Sequence, residues 1–256
     1  MQHVLEHMDQ VEEAGFRSNG NAASVDQARP TGAAPLDISR MPGRLIVVEG
    51  TDGAGRSTQI ALLREWLEAR GFGVAHTALT RSRLVGEGLK KAKEGHTLGR
   101  ITMDLLYATD LADRLENQIL PALRAGFVVL TDRYVYSAMA RSIVRGGSPA
   151  WIEHVYRFAP SPHAVFYLDI DVPHLTPRVL ARGGFDYWES GLDLLEENDT
   201  YRAFVTYQTR VLSIFSRLAQ TYNFTSIDAR RSVRDVFLDL SAGVLSVVSS
   251  MQGAKL

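Results

Sequence analysis

The chain contains no cysteine, which excludes disulfide bonds and cysteine-ligated metal sites and is typical of a protein in a reducing cytoplasm. It also has little excess of either charge: the net charge is −1, so no global basic field favours nucleic-acid binding. No apolar run is long enough to span a membrane, and the first residues lack the basic and apolar regions of a signal peptide. We therefore expect a soluble cytoplasmic protein without nucleic-acid or membrane partners.

What the chain does contain is enough apolar material for one large core. Its 256 residues are 45% hydrophobic, which suits a single α/β domain with material left over. Residues 1–42 are rich in Ser, Asn, Gly, Ala and Pro, and we predict a flexible N-terminal extension there. The alternative is that the apolar residues between Val4 and Val11 form one face of a short helix that docks on the body or on a partner. The folded domain is predicted to cover residues 43–256.

A glycine-rich loop is the most informative segment. Residues 50–58 read Gly-Thr-Asp-Gly-Ala-Gly-Arg-Ser-Thr, the spacing of a phosphate-binding loop except that Arg56 stands where lysine is expected. The apolar run at residues 45–48 predicts a buried strand before the loop, and the apolar spacing of residues 57–70 predicts a helix after it. Such a loop turns its N–H groups toward phosphate, and the helix N-terminus adds partial positive charge. We predict that ATP contacts Gly50, Gly53, Ala54, Gly55, Arg56, Ser57 and Thr58.

Beyond this loop, apolar runs alternate with helical patterns. Helices are predicted at residues 84–93, at residues 98–123 with a bend near Pro121, and at residues 200–222. Apolar strands separated by long helices are typical of a parallel sheet covered on both faces. We therefore predict an α/β fold, a P-loop NTPase-type three-layer sandwich with five parallel strands and helices on both faces. The strands are predicted at residues 45–48, 74–79, 127–132, 164–169 and 224–228.

Three of these strands end in aspartate, at the edge of the sheet where parallel α/β proteins bind ligands. Asp169 and Asp228 are interpreted as caps of the following helices. Asp132 ends an apolar strand of the kind that supplies a carboxylate near magnesium in P-loop proteins. We therefore predict a Mg²⁺ site formed by Ser57 and Asp132. Arg133, next in the chain, places a fixed cation in the same cleft.

Several segments, in order along the chain, resemble motifs of the thymidylate kinases, a family of P-loop nucleoside monophosphate kinases. The resemblance covers residues 44–228. It implies transfer of the γ-phosphoryl group of ATP, with Mg²⁺, to dTMP or a related pyrimidine (deoxy)nucleoside monophosphate. The matching segments are the phosphate loop, Thr80-Arg81, Leu105 to Asp110, Asp132-Arg133-Tyr134 followed by Ser137, and Leu168 to Pro173 followed by Arg178 and Arg182.

The resemblance also implies a small arginine-bearing lid at about residues 178–198 and roles for individual residues. Asp52 matches the acid that contacts the sugar 3′-hydroxyl, and Tyr107 matches the aromatic residue that stacks on thymine. The pattern of residues 98–120 predicts either a homodimer interface, as in family members, or a face of the core. The implied acceptor-binding residues are Asp52, Arg81, Tyr107, Arg133, Ser137 and Arg141, and the implied catalytic residues are Arg56, Arg178, Arg182 and Asp132.

The spacing of the two arginines in the predicted lid also indicates a role for them. Arg178 and Arg182 are four residues apart, so on a helix they project from one face and could close over the donor phosphates. Phosphoryl transfer needs such cations, together with two substrates held in line. The alternative is that the pair lies on a solvated helix face.

Substrate-facing positions depart from the family pattern. Arg56 replaces lysine, Arg141 replaces an aromatic residue that crowds the sugar 2′ position, and a serine-arginine pair at residues 82–83 replaces proline-glycine. Leu111 replaces a base-reading arginine, for which Arg114, on the same helical face, could substitute. These departures leave two alternatives open: a nucleotide-binding sensor or regulator with little kinase activity, or a kinase for another phosphorylated acceptor.

Overall fold

A computed structural model describes residues 36–95 and 98–254 of the chain. Five parallel strands form one sheet, and the α/β class and the parallel sheet predicted from the sequence are confirmed. The strands are β1 (Arg44–Glu49), β2 (Val74–Ala78), β3 (Val128–Asp132), β4 (Ala164–Asp169) and β5 (Thr225–Asp228). Their order across the sheet is β2-β3-β1-β4-β5.

The central position of β1 places the glycine loop. Val48 of β1 stands opposite Asp132 of β3, and Glu49 stands opposite Tyr167 of β4. β1 is buried on both faces, which explains why its sequence is a continuous apolar run rather than an alternating one. Because the strands are parallel, the loop after β1 and Asp132 at the end of β3 lie at the same edge of the sheet.

Helices cover both faces of the sheet. Along β1, Leu45 and Val47 enter one core while Ile46 and Val48 enter the other, as the two-residue period of a strand requires. The helices of the described chain are α1 (Arg56–Glu68), α2 (Gly86–Glu94), α3 (Arg100–Arg114), α4 (Leu120–Arg124), α5 (Val135–Val144), α6 (Pro149–Val155), α7 (Val172–Ala181), α8 (Thr200–Thr221) and α9 (Val233–Val248). Buried hydrophobic residues of α3, α5, α6 and most of α8 lie in the first core, and those of α1, α7 and α9, together with Phe204 of α8, lie in the second.

The long helix predicted at residues 98–123 is interrupted. The structure has α3, one π-helical turn at Leu115–Ile119, and then α4. Pro121 has no N–H to donate to the carbonyl of Asn117, and its ring disfavours a regular α-turn there. The wider π-turn lies where that hydrogen bond is missing. The chain is thus helical from Arg100 to Arg124, close to the predicted range, and its irregular turn ends just before Pro121. The bend near Pro121 stays a prediction.

The same helix carries the stripe that was predicted to be either a core face or a homodimer interface. Its inner side is core: Met103, Tyr107 and Leu111 are buried in the first core. On the other side, Ile101 and Leu105 are exposed. The core interpretation is confirmed for the inner side, and the homodimer stays a prediction.

The predicted N-terminal extension lies outside the described residues up to position 35, and so does the helix proposed between Val4 and Val11. In the described part, Ile38 is 3% exposed and belongs to the first core. The Met41 N–H donates to the Ile38 carbonyl at 3.1 Å. The residues just before β1 therefore pack against the domain. Among the residues that the structure describes, no helix has the length and apolar character needed to cross a bilayer.

Candidate active site

The loop between β1 and α1 has the backbone geometry of a phosphate cradle. Gly50, Gly53 and Gly55 have φ values of 146°, 88° and 100°, in a region that residues with a Cβ atom rarely adopt. A Cβ atom on Gly53 would also lie 2.9 Å from the Val179 side chain of α7. Helix α1 begins at Arg56, so the positive end of its dipole lies at the loop. This geometry supports the phosphate-binding role predicted for residues 50–58.

Arg56 is the cation of this loop and is only 8% exposed. Its Nε donates to Asp132 Oδ1 at 2.6 Å, and its Nη1 donates to the carbonyl oxygens of Gly50 and Thr51. A guanidinium can make these contacts together because its donors are spread over a planar fork, whereas the ammonium of lysine is a single point. The loop therefore uses the shape of arginine as well as its charge.

Ser57 and Asp132 present oxygen atoms side by side. Ser57 is exposed, and its Oγ donates to Asp132 Oδ2 at 3.1 Å. Burial raises the pKa of Asp132, but the charge and the hydrogen bond of Arg56 outweigh burial, so the pKa lies below its usual value. A hydroxyl next to an ionised carboxylate is an oxygen donor set of the kind that Mg²⁺ prefers. These two residues fit a magnesium ion, which the Ser57 hydroxyl would bind while the Asp132 carboxylate adds negative charge beside it.

Asp52, on the same loop, is surrounded by guanidinium groups. Arg133 donates to its Oδ1, Arg141 Nη2 donates to its Oδ2 at 2.7 Å, and Arg56 Nη2 lies 3.8 Å away. Burial raises the pKa of Asp52, but these positive charges hold it well below its usual value. Burial also lowers the pKa of Arg133 to about 10, helped by the charges of Arg141 and Arg56. The cluster fixes one carboxylate among three cations.

Arg133 has an unusual backbone conformation for a residue with a long side chain, with φ of 71°. Its N–H donates to the Val48 carbonyl at 3.0 Å, and its own carbonyl accepts from Thr131 Oγ1 at 2.7 Å. Backbone strain that is held in place by surrounding hydrogen bonds is common at functional sites. Here it accompanies the contact between Arg133 and Asp52.

A cleft of about 790 Å³ extends from the phosphate loop toward α2 and α3. Arg81 lines it, on a loop that is held by Asp110, whose carboxylate accepts the N–H groups of Thr80 at 3.1 Å and Ser82 at 2.9 Å. Tyr107 also lines it: burial raises the pKa of its hydroxyl, but nearby cations, Arg141 first, outweigh burial and lower it. Of the predicted site residues, Asp52, Arg56, Arg81, Tyr107, Asp132, Arg133 and Arg141 meet in this cleft.

The two lid arginines diverge. Helix α7 ends one residue before Arg182, so the prediction that Arg178 and Arg182 share a helix face is wrong. Arg178 donates to the carbonyl oxygens of Ala54 at 3.4 Å and Ala229 at 2.8 Å. Arg182 donates to the Glu189 carboxylate. The first arginine therefore contacts the phosphate loop, and the second contacts the segment that follows α7.

Ser137 and Arg114 lie outside the cleft wall. Ser137 is fully buried, and its Oγ donates to Glu49 at 2.5 Å. Arg114 is fully buried as well, and its Nε donates to Asp110 at 2.9 Å. Ser137 thus holds the start of α5, while Arg114 supports the carboxylate that fixes the Arg81 loop. The structure does not bring Arg114 to the cleft as a substitute for the missing base-reading arginine.

Two residues of the cleft wall, Arg145 and Gln208, belong to no motif recognised in the sequence. Arg145 donates to Asp193 at 2.6 Å and to the Tyr207 hydroxyl at 2.6 Å. Gln208 is 1% exposed within the aromatic-aliphatic stripe of α8. A polar residue at a buried position of a helical stripe is a usable signal, and it could have identified Gln208. Arg145 directly follows α5, and nothing in the sequence around it marks it as a residue of the site.

Similarity to known proteins agrees with this geometry. A model of the thymidylate kinase family matches residues 48–239. The chain is 39% identical over 202 residues to a probable thymidylate kinase 2 of Saccharolobus solfataricus, covering 78% of this chain and 94% of the relative. It is 33% identical over 209 residues to a probable thymidylate kinase of Pyrococcus abyssi, covering 79% and 96%. It is 34% identical over 207 residues to a thymidylate kinase of Pelotomaculum thermopropionicum, covering 78% and 92%. The chain therefore belongs to the thymidylate kinase family.

Proposed function

We propose that the chain transfers the γ-phosphoryl group of ATP to dTMP or a related pyrimidine (deoxy)nucleoside monophosphate, with Mg²⁺ as cofactor. The observation that carries the proposal is the meeting of two anion-binding groups in one cleft: the phosphate loop with Arg56, and the pair of Arg81 and Arg133 beyond it. Membership of the thymidylate kinase family and the names of the relatives support the same activity.

At the donor end, the loop N–H groups and the α1 N-terminus bind the ATP phosphates. Ser57 would hold a magnesium ion with Asp132 in its outer shell, and such an ion neutralises charge on the β- and γ-phosphates. Arg56 would add its positive charge beside the same phosphates, while Asp132 and two loop carbonyl oxygens hold its guanidinium. The lid arginines Arg178 and Arg182 complete the positive surroundings of the donor.

At the acceptor end, Arg81 and Arg133 hold the acceptor phosphate through forked hydrogen bonds. Asp52 accepts a hydrogen bond from the sugar 3′-hydroxyl, and the Tyr107 ring stacks on the base. Holding two anionic groups in line in a partly enclosed cleft accounts for most of what phosphoryl transfer requires from a protein.

The test is a coupled assay of ADP formation with ATP, Mg²⁺ and a panel of dTMP, dUMP, UMP and CMP. Turnover with dTMP or another pyrimidine monophosphate supports the proposal. Arg133→Met should abolish most turnover, whereas Arg64→Met, on the exposed side of α1, serves as the control. Tight MgATP binding without turnover on any acceptor would instead identify a nucleotide sensor.

A ribonucleotide acceptor is the second candidate, and one contact favours it. Arg141 Nη2 lies 2.7 Å from Asp52 Oδ2, so a hydrogen-bond donor and an acceptor stand next to each other and match a 2′,3′-diol. The aromatic residue that family members have at this position would crowd the 2′-hydroxyl. The measurement is the ratio of kcat/KM for UMP and dUMP: this candidate requires a ratio above one in the wild-type chain and a lower one in Arg141→Phe.

A further inference from the structure

We infer that Gln208 is a positioning residue that couples the phosphate loop to the lid segment, residues 182–199, through both ends of its side-chain amide. Thr51 Oγ1 donates to Gln208 Oε1, and Gln208 Nε2 donates to the Glu189 carbonyl at 2.7 Å. The inference rests on the proposed function, because the coupling serves the same phosphoryl transfer. Neither end of the amide is left without a partner, and the side chain is 1% exposed.

The loop end of this connection is rigidly tied to the phosphate site. Thr51 is 3% exposed, and its carbonyl accepts hydrogen bonds from Arg56 Nη1 and from the Ala54 N–H at 3.3 Å. Arg56 in turn binds Asp132. A shift of the loop or of Arg56 on binding phosphate therefore moves the Thr51 hydroxyl, and with it the acceptor end of Gln208.

At the other end of the connection, the lid segment begins with two glycines that leave its backbone free to change direction. Gly183 and Gly184 have φ values of 126° and 97°, and a Cβ atom on either would meet nothing within 4 Å, so crowding does not hold them. Farther along, Gly191 packs so closely on Tyr207 that a Cβ atom would lie 2.5 Å from its ring. Gln208 contacts the lid segment at Glu189, between the two unconstrained glycines and the closely packed Gly191. Its contact at Glu189 is thus placed to set how the Glu189 side chain enters the cleft.

Only an amide suits both contacts. The Thr51 hydroxyl needs an acceptor, and the Glu189 carbonyl needs a donor, which glutamine supplies at the two ends of one planar group. Glutamate could keep the first contact and would lose the second, and leucine would lose both. Thr51 is buried and the contact with Glu189 is half-buried, so each lost contact leaves a polar atom without its partner.

The experiment measures hydrogen exchange of the full chain, with and without saturating MgATP, in peptides that cover residues 184–196. We expect MgATP to slow exchange in the wild-type chain and in Thr51→Ser, which keeps the hydroxyl. In Gln208→Leu and in Thr51→Val the MgATP-dependent slowing should fall by about tenfold, because both variants lose the buried hydrogen bond between Thr51 and Gln208. The ATP Kd from calorimetry should change by less than about threefold, since the loop N–H groups are unchanged. The double variant should resemble the single ones, because both remove the same connection.

Controls come from the same helix. Thr209→Val and Gln220→Leu change exposed residues of α8 and should leave the response to MgATP intact. An unchanged MgATP-dependent slowing in Gln208→Leu and Thr51→Val, or an absence of slowing in the wild-type chain, would overturn the inference. If Gln208→Leu does not fold, the comparison of Thr51→Val with Thr51→Ser decides. MgATP binding without turnover on any monophosphate overturns the proposed function alone, and the exchange data still judge the coupling. A wild-type chain that does not bind MgATP overturns both.

Discussion

Replacing Arg56 with lysine should weaken both the fold and the reaction although the charge is kept. Arg56 donates to Asp132 and to the carbonyl oxygens of Gly50 and Thr51. An ammonium that keeps the contact with Asp132 gives up the two carbonyl contacts. At a net contribution of about 1 kcal/mol for each hydrogen bond, the free energy of unfolding falls by about 2 kcal/mol. For a domain of this size that lowers Tm by about 4–8 °C.

The effect on activity follows from the same contacts. Without the two carbonyl contacts the cation is less well fixed at the donor phosphates, and a loss of about 1.4 kcal/mol of transition-state stabilisation lowers kcat about tenfold. Thermal unfolding followed by circular dichroism and the coupled ADP assay measure the two quantities. Arg64→Lys is the matched control, since Arg64 is 56% exposed and pairs with Glu68 at the surface; its effect should stay within about 0.5 kcal/mol. A higher kcat in Arg56→Lys, or an unchanged Tm, would refute the reasoning.

Three further substitutions test other parts of the site. Gly53→Ala forces a Cβ atom into a positive-φ position and against Val179, so the free energy of unfolding should fall by about 1–3 kcal/mol and the ATP Kd should rise. The control Gly88→Ala, in the exposed part of α2, should lower neither the free energy of unfolding nor the affinity for ATP. The folded-state pKa of Asp52 is depressed, so its ionised form stabilises the fold above the ordinary aspartate pKa of about 3.9 and this is lost as pH falls through the folded-state value. Asp52→Asn should therefore show a smaller drop in Tm than the wild-type chain between about pH 6 and pH 3, and an equal drop would contradict this. Arg145→Met removes the contacts with residues 188 and 193, so thermolysin should cleave the lid segment about tenfold faster; an unchanged cleavage rate would show that these contacts do not hold the lid.

The sheet and the phosphate loop are predictable because their signals are local. Each strand is an apolar run that needs both faces covered, and each boundary falls within one residue of the predicted position. The glycines of the loop report positive φ directly, since other residues avoid it. The edge position of Asp132 follows from parallel pairing alone. These parts required no knowledge of distant contacts.

The remaining parts depend on contacts between distant residues. Arg141 and Asp52 are 89 residues apart, and their contact is set by how α5 packs over the loop. The end of α7 before Arg182 could have been expected from the two glycines that follow it, whereas the contact of Arg182 with Glu189 could not. Helix α5 is not among the elements predicted from the sequence, and most of its residues are buried. Helix α9 does carry a local signal, because Ser232 caps it and accepts the N–H of Asp235. The interpretation of Asp228 as that cap is therefore wrong, and α7 is likewise capped by Asp171 rather than by Asp169.

The central place of β1 has a consequence for the synthesis of the chain. Both neighbours of β1 come later in the sequence, and its partner β4 ends some 120 residues after it. At about 5–20 residues per second, the ribosome completes β4 roughly 6–24 s after β1. During that time the apolar run of β1 has no strand on one side, and for most of it none on either. Among the five strands, the one that carries the phosphate loop thus waits longest for its neighbours, and it is the strand for which we expect protection by a chaperone to matter.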